Sequence, residues 1–554
     1  MSNVFAEAAG LHRPAPLRVV VAGYGPVAAR LVEELLPGVR SGALSVLLVG
    51  EEPVAAYNRV LVADLAVGRT TAEALEISDA AELRASGVRV RLGERITHVD
   101  RARRLVLLGD GTSEPYDRLV FATGASATIP NLSGLNPDPA AVAMLPDGVT
   151  ALRDLADAAR LLEAVSGGGR IVVLGGGILG LEAALAAADE GASVTVVHHG
   201  PRPLARSIDR GGGSVLAAAL RRRGIRMVSN ARSTGVDLGT GLAGRRFRAL
   251  QLDDGRRLEA DLLLLSCGVR PRTELAAGCG LPVGSGILVD HRLQADADGE
   301  VFAVGDCAEV RCREAGCPDC AGGAGPSGLI GPGWRQAEWL AARLLADAGQ
   351  QPPAMERLPA ERPAVILLKA RGVDVSTAGA VDAEPWDEAE PWDNESGSLE
   401  EACPAHPTTP AVRQVAVWAD PEHGKYVKMV TRRGVLEGLV AVGMPRTAAE
   451  LVLLFESGRA LPADRSSLLR MDGADAGVPA TRLDDPGATV CRCSGVSAGR
   501  IREAVSDGCG SLEEVAEATR AATGCGGCRE RVIAVIAAHQ ASHGADLEEL
   551  LPSA

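Results

Sequence analysis

The residues able to do chemistry fall into two groups, cysteines near the C-terminal end and glycines in two turns. Cys491 and Cys493 form a C-x-C pair, and Cys525 and Cys528 form a C-x2-C pair. Four thiolates brought together can bind two irons of an iron-sulfur cluster, or a single zinc ion in a tetrahedron. Of the 12 cysteines none precedes Cys267, and five lie between Cys491 and Cys528. Such crowding points to local sites rather than to a disulfide framework spread along the chain. Two short helical patterns separate the pairs. Ser511 and Glu514 have the spacing of a capping box and Gly508 suits the end of the preceding helix, so the two helices can fold back and bring the pairs together. Cys509 is a spare thiol in this arrangement.

The glycines come first along the chain. RVVVAGYGPVAAR, residues 18–30, reads as a buried parallel strand running into a tight turn, where Gly23 and Gly25 let a pyrophosphate approach the amides that open the next helix. Ala28 takes the third position of G-x-G-x-x-A, and Glu51 ends a second apolar strand where a carboxylate could hold an adenosine ribose hydroxyl. The bland alternative is a structural glycine turn. A second unit, residues 170–199, has strand, turn, apolar helix and strand without interruption, with Gly175, Gly177 and Gly180 in all three fingerprint positions. Its second strand ends in His198 and His199, with Arg202 and Arg206 close behind, rather than in an acid. Those residues could tolerate or attract the 2′-phosphate of NADPH, or the histidines could be exposed loop residues; NADH and NADPH both stay open. Glu182, just inside the helix of the second unit, is a candidate contact on the nicotinamide side or an ordinary first-turn glutamate favoured by the helix dipole.

These motifs need an ordered scaffold, and the composition supplies one. A chain of 554 residues is too long for one core and suggests three or four units. Hydrophobic residues make up 46% and aromatics 3%, so Ala, Val and Leu must fill the interiors. A net charge of -14 disfavours a nucleic-acid footprint. No apolar run approaches the ~20 residues of a membrane span. The N-terminus carries no export-signal pattern, so the expected location is the cytoplasm. No nucleophilic triad or paired carboxylates stand out, and no catalytic side chain is assigned; hydride transfer between stacked rings needs orientation and a dry site.

Two further strands end in small-residue turns, YDRLVFATGASATIP at Thr123-Gly124 and VFAVGDCAEV at Gly305-Asp306. With the two dinucleotide units they resemble the flavoprotein reductases with paired dinucleotide-binding domains. The resemblance places Asp306 on the flavin ribityl and pyrophosphate region and Thr123 and Gly124 at the flavin. It also matches Gly268 and Pro271 to the link strand LLLLSCGVRPRTELA, and lets Arg59, otherwise a plain surface charge, face a phosphate or the flavin edge. It implies FAD at the first turn and NAD(P)H at the second. Thiol-reducing members of that fold carry C-x4-C in the first helix region, where this chain has no cysteine. TGCGGC and the cysteine spacing are similar to the bacterioferritin-associated ferredoxin-like 2Fe-2S domain.

The implied fold class is α/β. Two Rossmann-like, glutathione-reductase-like domains are followed by a small α+β domain and a small helical 2Fe-2S domain. The expected boundaries are 15–128 with 285–350 for FAD, 150–284 for NAD(P)H, 358–470 for the α+β domain with an acidic insertion at 382–410, and 486–540 for the cluster. Within that insertion Glu-Pro-Trp-Asp occurs twice, at 384–387 and 390–393, and a solvated segment is expected. Cys307, Cys312, Cys317 and Cys320 lie in another Gly- and Pro-rich insertion, where C-x2-C could hold zinc or could be a plain solvated loop. Trp334 is a candidate flavin wall or simple packing.

The domain order resembles the electron-transfer parts of assimilatory nitrate and nitrite reductases. A sirohaem half would need a long further stretch with another cysteine quartet, and the sequence stops at Ala554. The resemblance therefore implies a separate molybdenum-containing nitrate reductase subunit as acceptor. Other readings are a reductase for a separate nitrite reductase or another redox protein, an iron-store ferric reductase, and a zinc interaction module fused to a flavin oxidase.

Overall fold

Runs of branched apolar residues with no alternation build two sheets, both parallel. In chain order the strands and helices used below are β1 (Leu17–Ala22), α1 (Pro26–Arg40), β2 (Leu44–Gly50), β3 (Arg89–Leu92), β4 (Arg118–Phe121), β5 (Val149–Ala151), β6 (Arg170–Leu174), α2 (Ile178–Asp189), β7 (Ser193–Val197), α3 (Arg210–Arg222), β8 (Arg226–Val228), β9 (Leu262–Leu265), β10 (Val301–Ala303) and α4 (Ile330–Asp347). The computed structural model describes residues 15–135, 145–241, 244–311, 317, 325–326, 328–350, 356–359, 363–385, 413–462, 464–469, 472, 485–491, 494–523 and 528–548. Contacts divide the chain into two units, residues 1–58, 75–126 and 269–360 in one, and 59–74, 127–268 and 361–554 in the other.

In the first unit the strand order is β10-β4-β1-β2-β3, every pair parallel. Val19, Val20 and Val21 are buried on both faces, as their unbroken apolar run requires. Helix α1 starts with Pro26 in its first turn, and α4 packs along it. Residues 88–108 serve two sheets. Val88 leads into β3, which joins the parallel sheet at Leu47–Gly50, and the hairpin pairs Ile96–Asp100 with Leu105–Leu108. The Gly109-Asp110-Gly111 turn then leads to a third strand, Ser113–Pro115.

The second unit repeats the parallel design with order β8-β7-β6-β9-β5. Leu262, Leu263, Leu264 and Leu265 on β9, next to the central strand, are all buried. A small antiparallel sheet follows, made of β11 (Ile366–Ala370), β12 (Val373–Gly379), β13 (Gln414–Asp420), β14 (Lys425–Arg432) and β15 (Val435–Val442), in the order β11-β12-β15-β14-β13. Helix α5 (Pro445–Ser457) covers one face. The last elements are a short ribbon, β16 (Thr489–Cys491) with β17 (Val496–Ser497), and helices α6 (Ala498–Ser506), α7 (Leu512–Thr519) and α8 (Arg529–Glu548). They enclose a core of Val490, Ile501, Val515, Val532 and Val535.

Candidate functional site

The first glycine turn leaves β1 with Gly23 at φ +110°, a conformation that L side chains avoid. A Cβ there would lie 2.3 Å from the Ala122 carbonyl oxygen, so the neighbouring strand also excludes a side chain. Gly25 has a different reason. It is the N-cap of α1, makes no side-chain capping bond, and a Cβ on it would meet nothing within 4 Å. The helix therefore opens with amide donors beside free space, a cradle that a pyrophosphate fits and a side chain would fill. Ala28 is fully buried against the strand.

Glu51 follows β2 directly and stays exposed, with Arg272 Nη1 at 3.6 Å and Arg95 Nη1 at 3.9 Å. Arg272 also joins the next predicted turn. Its carbonyl accepts from Thr123 Oγ1 at 2.9 Å, and its amide donates to the Gly124 carbonyl at 2.9 Å. Gly124 has φ +67° and open space around it. Arg272 was not singled out in the sequence, although it stands one residue after Pro271. At the end of β10, Gly305 at φ +73° donates its amide to Gln336 Oε1 at 2.8 Å, and Asp306 follows in a short 3-10 turn. Asp306 lines a cleft of about 230 Å³ together with Val269, Pro271 and Ser285. Trp334 is a packing residue, almost wholly buried, with Nε1 donating to the Pro26 carbonyl at 3.1 Å. Arg59 is grouped with the second unit, where Nη1 donates to the Arg153 carbonyl at 3.2 Å.

The second turn repeats the logic more strictly. Gly175 has φ +128°, and a Cβ on it would meet the Ser266 carbonyl oxygen at 1.9 Å. Gly180 sits against the Gly175 carbonyl and Ser266, so the helix packs tightly on the sheet. Gly177 caps α2 without a side-chain bond and again faces open space. Glu182 lies beyond the first turn of α2 and is half-buried, which corrects its reading as a first-turn glutamate. Gly268, at φ +94°, is exposed where the link leaves β9.

The two histidines part company. His198 is buried, its ring lies against Gly176, and Nε2 is 3.1 Å from Ser229 Oγ. Burial holds its pKa below the ordinary value of 6.5. It is therefore a neutral packing residue, which corrects both the phosphate-binding and the exposed-loop readings of that position. The absence of a side chain at Gly176 is what makes room for the ring. His199 remains exposed.

In the cysteine region, Cys491 ends β16 and Cys528 precedes α8, and both belong to one buried core. Cys493 and Cys525 lie outside the described residues. Two buried thiols from the two motifs, in one apolar core, have the soft donor chemistry an iron-sulfur cluster needs. Ser511 and Glu514 make the expected capping box, and Gly508 adopts φ +109° just after α6. Ser494, which sequence reading passed over, has Oγ 2.9 Å from Cys491 Sγ and 3.0 Å from the Arg520 carbonyl.

Among the other thiols, Cys307 is fully buried, and Sγ is 3.3 Å and 3.4 Å from the carbonyls of Val304 and Phe121. Burial pushes its pKa up. Cys317 is buried with His291 Nε2 3.4 Å from its Sγ, while Cys312 and Cys320 lie outside the described residues. Of the Glu-Pro-Trp-Asp tract only Glu384 and Pro385 are described.

These features define a class of protein. Residues 17–324 match the pyridine nucleotide-disulphide oxidoreductase family and residues 489–538 match the BFD-like 2Fe-2S binding domain. The chain belongs to the pyridine nucleotide-disulphide oxidoreductase family. More particularly, it is an NAD(P)H-dependent flavoprotein reductase with a 2Fe-2S domain, using FAD, NAD(P)H and the cluster. It is 28% identical over 518 residues to the NAD(P)H nitrite reductase of Bacillus subtilis (strain 168), covering 93% of this chain and 57% of the relative. It is 25% identical over 516 residues to the assimilatory nitrate reductase electron transfer subunit of the same organism, covering 93% and 59%. The chain thus spans little more than half the length of these relatives. A covalent putidaredoxin reductase-putidaredoxin complex shares the fold, at TM-score 0.65 and 21% identity, covering 83% of this chain and 98% of that one.

Proposed function

We propose that this chain takes electrons from NAD(P)H at the turn Gly175–Gly180 and moves them to FAD at the turn Gly23–Ala28. From there they pass through a 2Fe-2S cluster on Cys491, Cys493, Cys525 and Cys528 to a separate molybdenum-containing nitrate reductase subunit. We assign residues 15–128 and 285–350 to the FAD domain, 150–284 to the NAD(P)H domain, 358–470 to the α+β domain and 486–540 to the cluster domain. When bound, the three groups supply hydride donation, storage of an electron pair and one-electron transfer.

The chain's own residues bind and orient. Gly25 and Gly177 leave the first-turn amides of α1 and α2 open to a pyrophosphate. Glu51 can accept from a ribose hydroxyl, while Arg272 fixes Thr123 and Gly124 where the flavin would pass. By resemblance Asp306 is assigned to the flavin, Gly268 to the link strand and Arg59 to a phosphate or the flavin edge, and Glu182 is assigned to the nicotinamide side from its place in the second helix. The observation that carries the reading is that Cys491 and Cys528 share one buried core in a chain that also holds two dinucleotide turns. The name of the Bacillus subtilis electron transfer subunit supports a nitrate reductase as acceptor. The nitrite reductase relatives favour a second reading, delivery to a nitrite-reducing centre. We place the protein in the cytoplasm; no helix among the described residues is long and apolar enough to cross a membrane. The test is to reduce the protein anaerobically with NADH or NADPH and offer it separately to a nitrate reductase subunit, a nitrite reductase and a ferric iron store. Reoxidation by the first alone is the expected result; its failure there sinks the nitrate assignment.

A further inference from the structure

The start of α3 is expensive as helices go. Gly211, Gly212 and Gly213 occupy its first turn, and glycine is a poorer helix former than alanine. Their neighbours explain them. A Cβ on Gly211 would meet the Tyr426 ring at 2.6 Å, one on Gly212 would meet Val440 Cγ1 at 2.9 Å, and one on Gly213 would meet Arg202 Cδ at 2.5 Å. Tyr426 and Val440 belong to the small antiparallel sheet, so Gly211 and Gly212 let that sheet dock, while Gly213 makes room for Arg202.

At the same place polar groups are buried and paired across the junction. Asp209, the N-cap of α3, is 4% exposed. Its Oδ1 accepts from the Gly212 amide at 3.2 Å, and its Oδ2 accepts from the Tyr426 hydroxyl at 2.5 Å and from Lys428 Nζ at 3.5 Å. Lys428 has no exposed surface and also reaches the Val381 carbonyl at 2.9 Å and Glu384 Oε1 at 3.4 Å. On β12, Thr377 is 1% exposed and donates from Oγ1 to the Ser207 carbonyl at 2.5 Å. Removing one partner of a buried ion pair leaves an uncompensated buried charge, so these groups hold the junction in one geometry.

What this geometry fixes is the loop of residues 200–209 between β7 and α3. Its other side is tied to the dinucleotide turn, because the Leu204 amide donates to the Gly176 carbonyl at 2.9 Å. Leu204 itself sits at φ +53°, a strained value for leucine that persists only where surrounding structure imposes it. Arg202 and Arg206 lie on this loop, directly after the strand whose end reads the adenosine ribose in such folds.

We propose that the small α+β domain is part of the dinucleotide-recognition machinery. Thr377, Tyr426 and Lys428 are positioning residues that hold loop 200–209 against the second glycine turn; within the loop Arg202 is fixed by Nε donating to the Ile208 carbonyl at 3.1 Å, and Arg206 is exposed. The proposal rests on the reading that this turn holds NAD(P)H. The small sheet then sets nucleotide affinity and the preference between NADH and NADPH without touching either.

The experiment is rapid-mixing flavin reduction of the holoenzyme by NADH and by NADPH, yielding a Kd and a limiting rate for each. Tyr426→Phe and Thr377→Val are the test variants, with Lys428→Met added if it folds. Arg222→Ala breaks the docking at the far end of α3, where Nη2 donates to the Pro421 and Glu422 carbonyls. Gly177→Val tests the site itself. Expected for Tyr426→Phe and Thr377→Val is a roughly three- to tenfold rise in Kd, the size of one lost buried hydrogen bond, with a changed NADH-to-NADPH ratio and an unchanged limiting rate. Arg222→Ala should leave Kd as it was. Wild-type Kd values in both test variants while Gly177→Val weakens binding would overturn the proposal alone. An equal rise in Arg222→Ala also overturns it, because loosened docking would then suffice. No effect of Gly177→Val removes the site reading, and the proposal with it.

Discussion

Ser494 puts a hydroxyl within hydrogen-bond distance of Cys491 Sγ, and one proton cannot serve both that sulfur and the Arg520 carbonyl. When Cys491 is a metal-bound thiolate it has no proton of its own, so Ser494 becomes the donor. Donation to a cluster sulfur stabilises the reduced, more negative state. Ser494→Ala is therefore expected to lower the cluster's midpoint potential in a redox titration followed by electron paramagnetic resonance; an unmoved potential means the hydroxyl points to Arg520. His198 makes a pH prediction at the same scale. Its native pKa is depressed, so below the ordinary value of 6.5 the unfolded chain binds the extra proton and stability falls as pH drops. A His198→Asn variant should lose less thermal stability than the wild type between about pH 7.5 and pH 5.5; equal losses would show that His198 does not titrate on unfolding. Burial also pushes the Cys267 thiol up to about 11, which predicts slow alkylation of this cysteine at pH 8 in the folded protein.

The elements separate glycines that hold the fold from glycines that hold a ligand. Gly175→Ala forces a methyl onto the Ser266 carbonyl at positive φ, and should destabilise the protein by roughly 2–4 kcal/mol in denaturant melts. Gly25→Val should leave the α1 scaffold in place, since its Cβ meets nothing, yet purify with little flavin; full flavin content would mean that the space beside Gly25 is not the pyrophosphate cradle. The sequence announced both turns because their requirements are local: a buried strand, φ above zero, a helix opening at once. The capping box of Ser511 and Glu514 was legible for the same reason. Long-range partners were hidden. Nothing near Arg272 in sequence says that it meets Glu51 and Thr123, nor does Gly211-Gly212-Gly213 reveal that Tyr426 will cover it. His198 was misread because its burial depends on a missing side chain at Gly176 and on Ser229, both remote in sequence.

For the whole molecule, the proposed route has electrons enter as a pair at the dinucleotide turns and leave singly through the cysteine domain. The entry side was readable from motif and strand context, and the thiol pairs from spacing. The acceptor was readable only by likeness, because recognition of another protein is written in no short motif. The most direct measurement compares the wild type with Cys528→Ser under anaerobic NADH or NADPH, following flavin absorbance and then reoxidation by a nitrate reductase subunit. The account predicts that the variant's flavin is still reduced at the wild-type rate while delivery to the subunit is lost. Delivery at the wild-type rate from a variant lacking the cluster would contradict it.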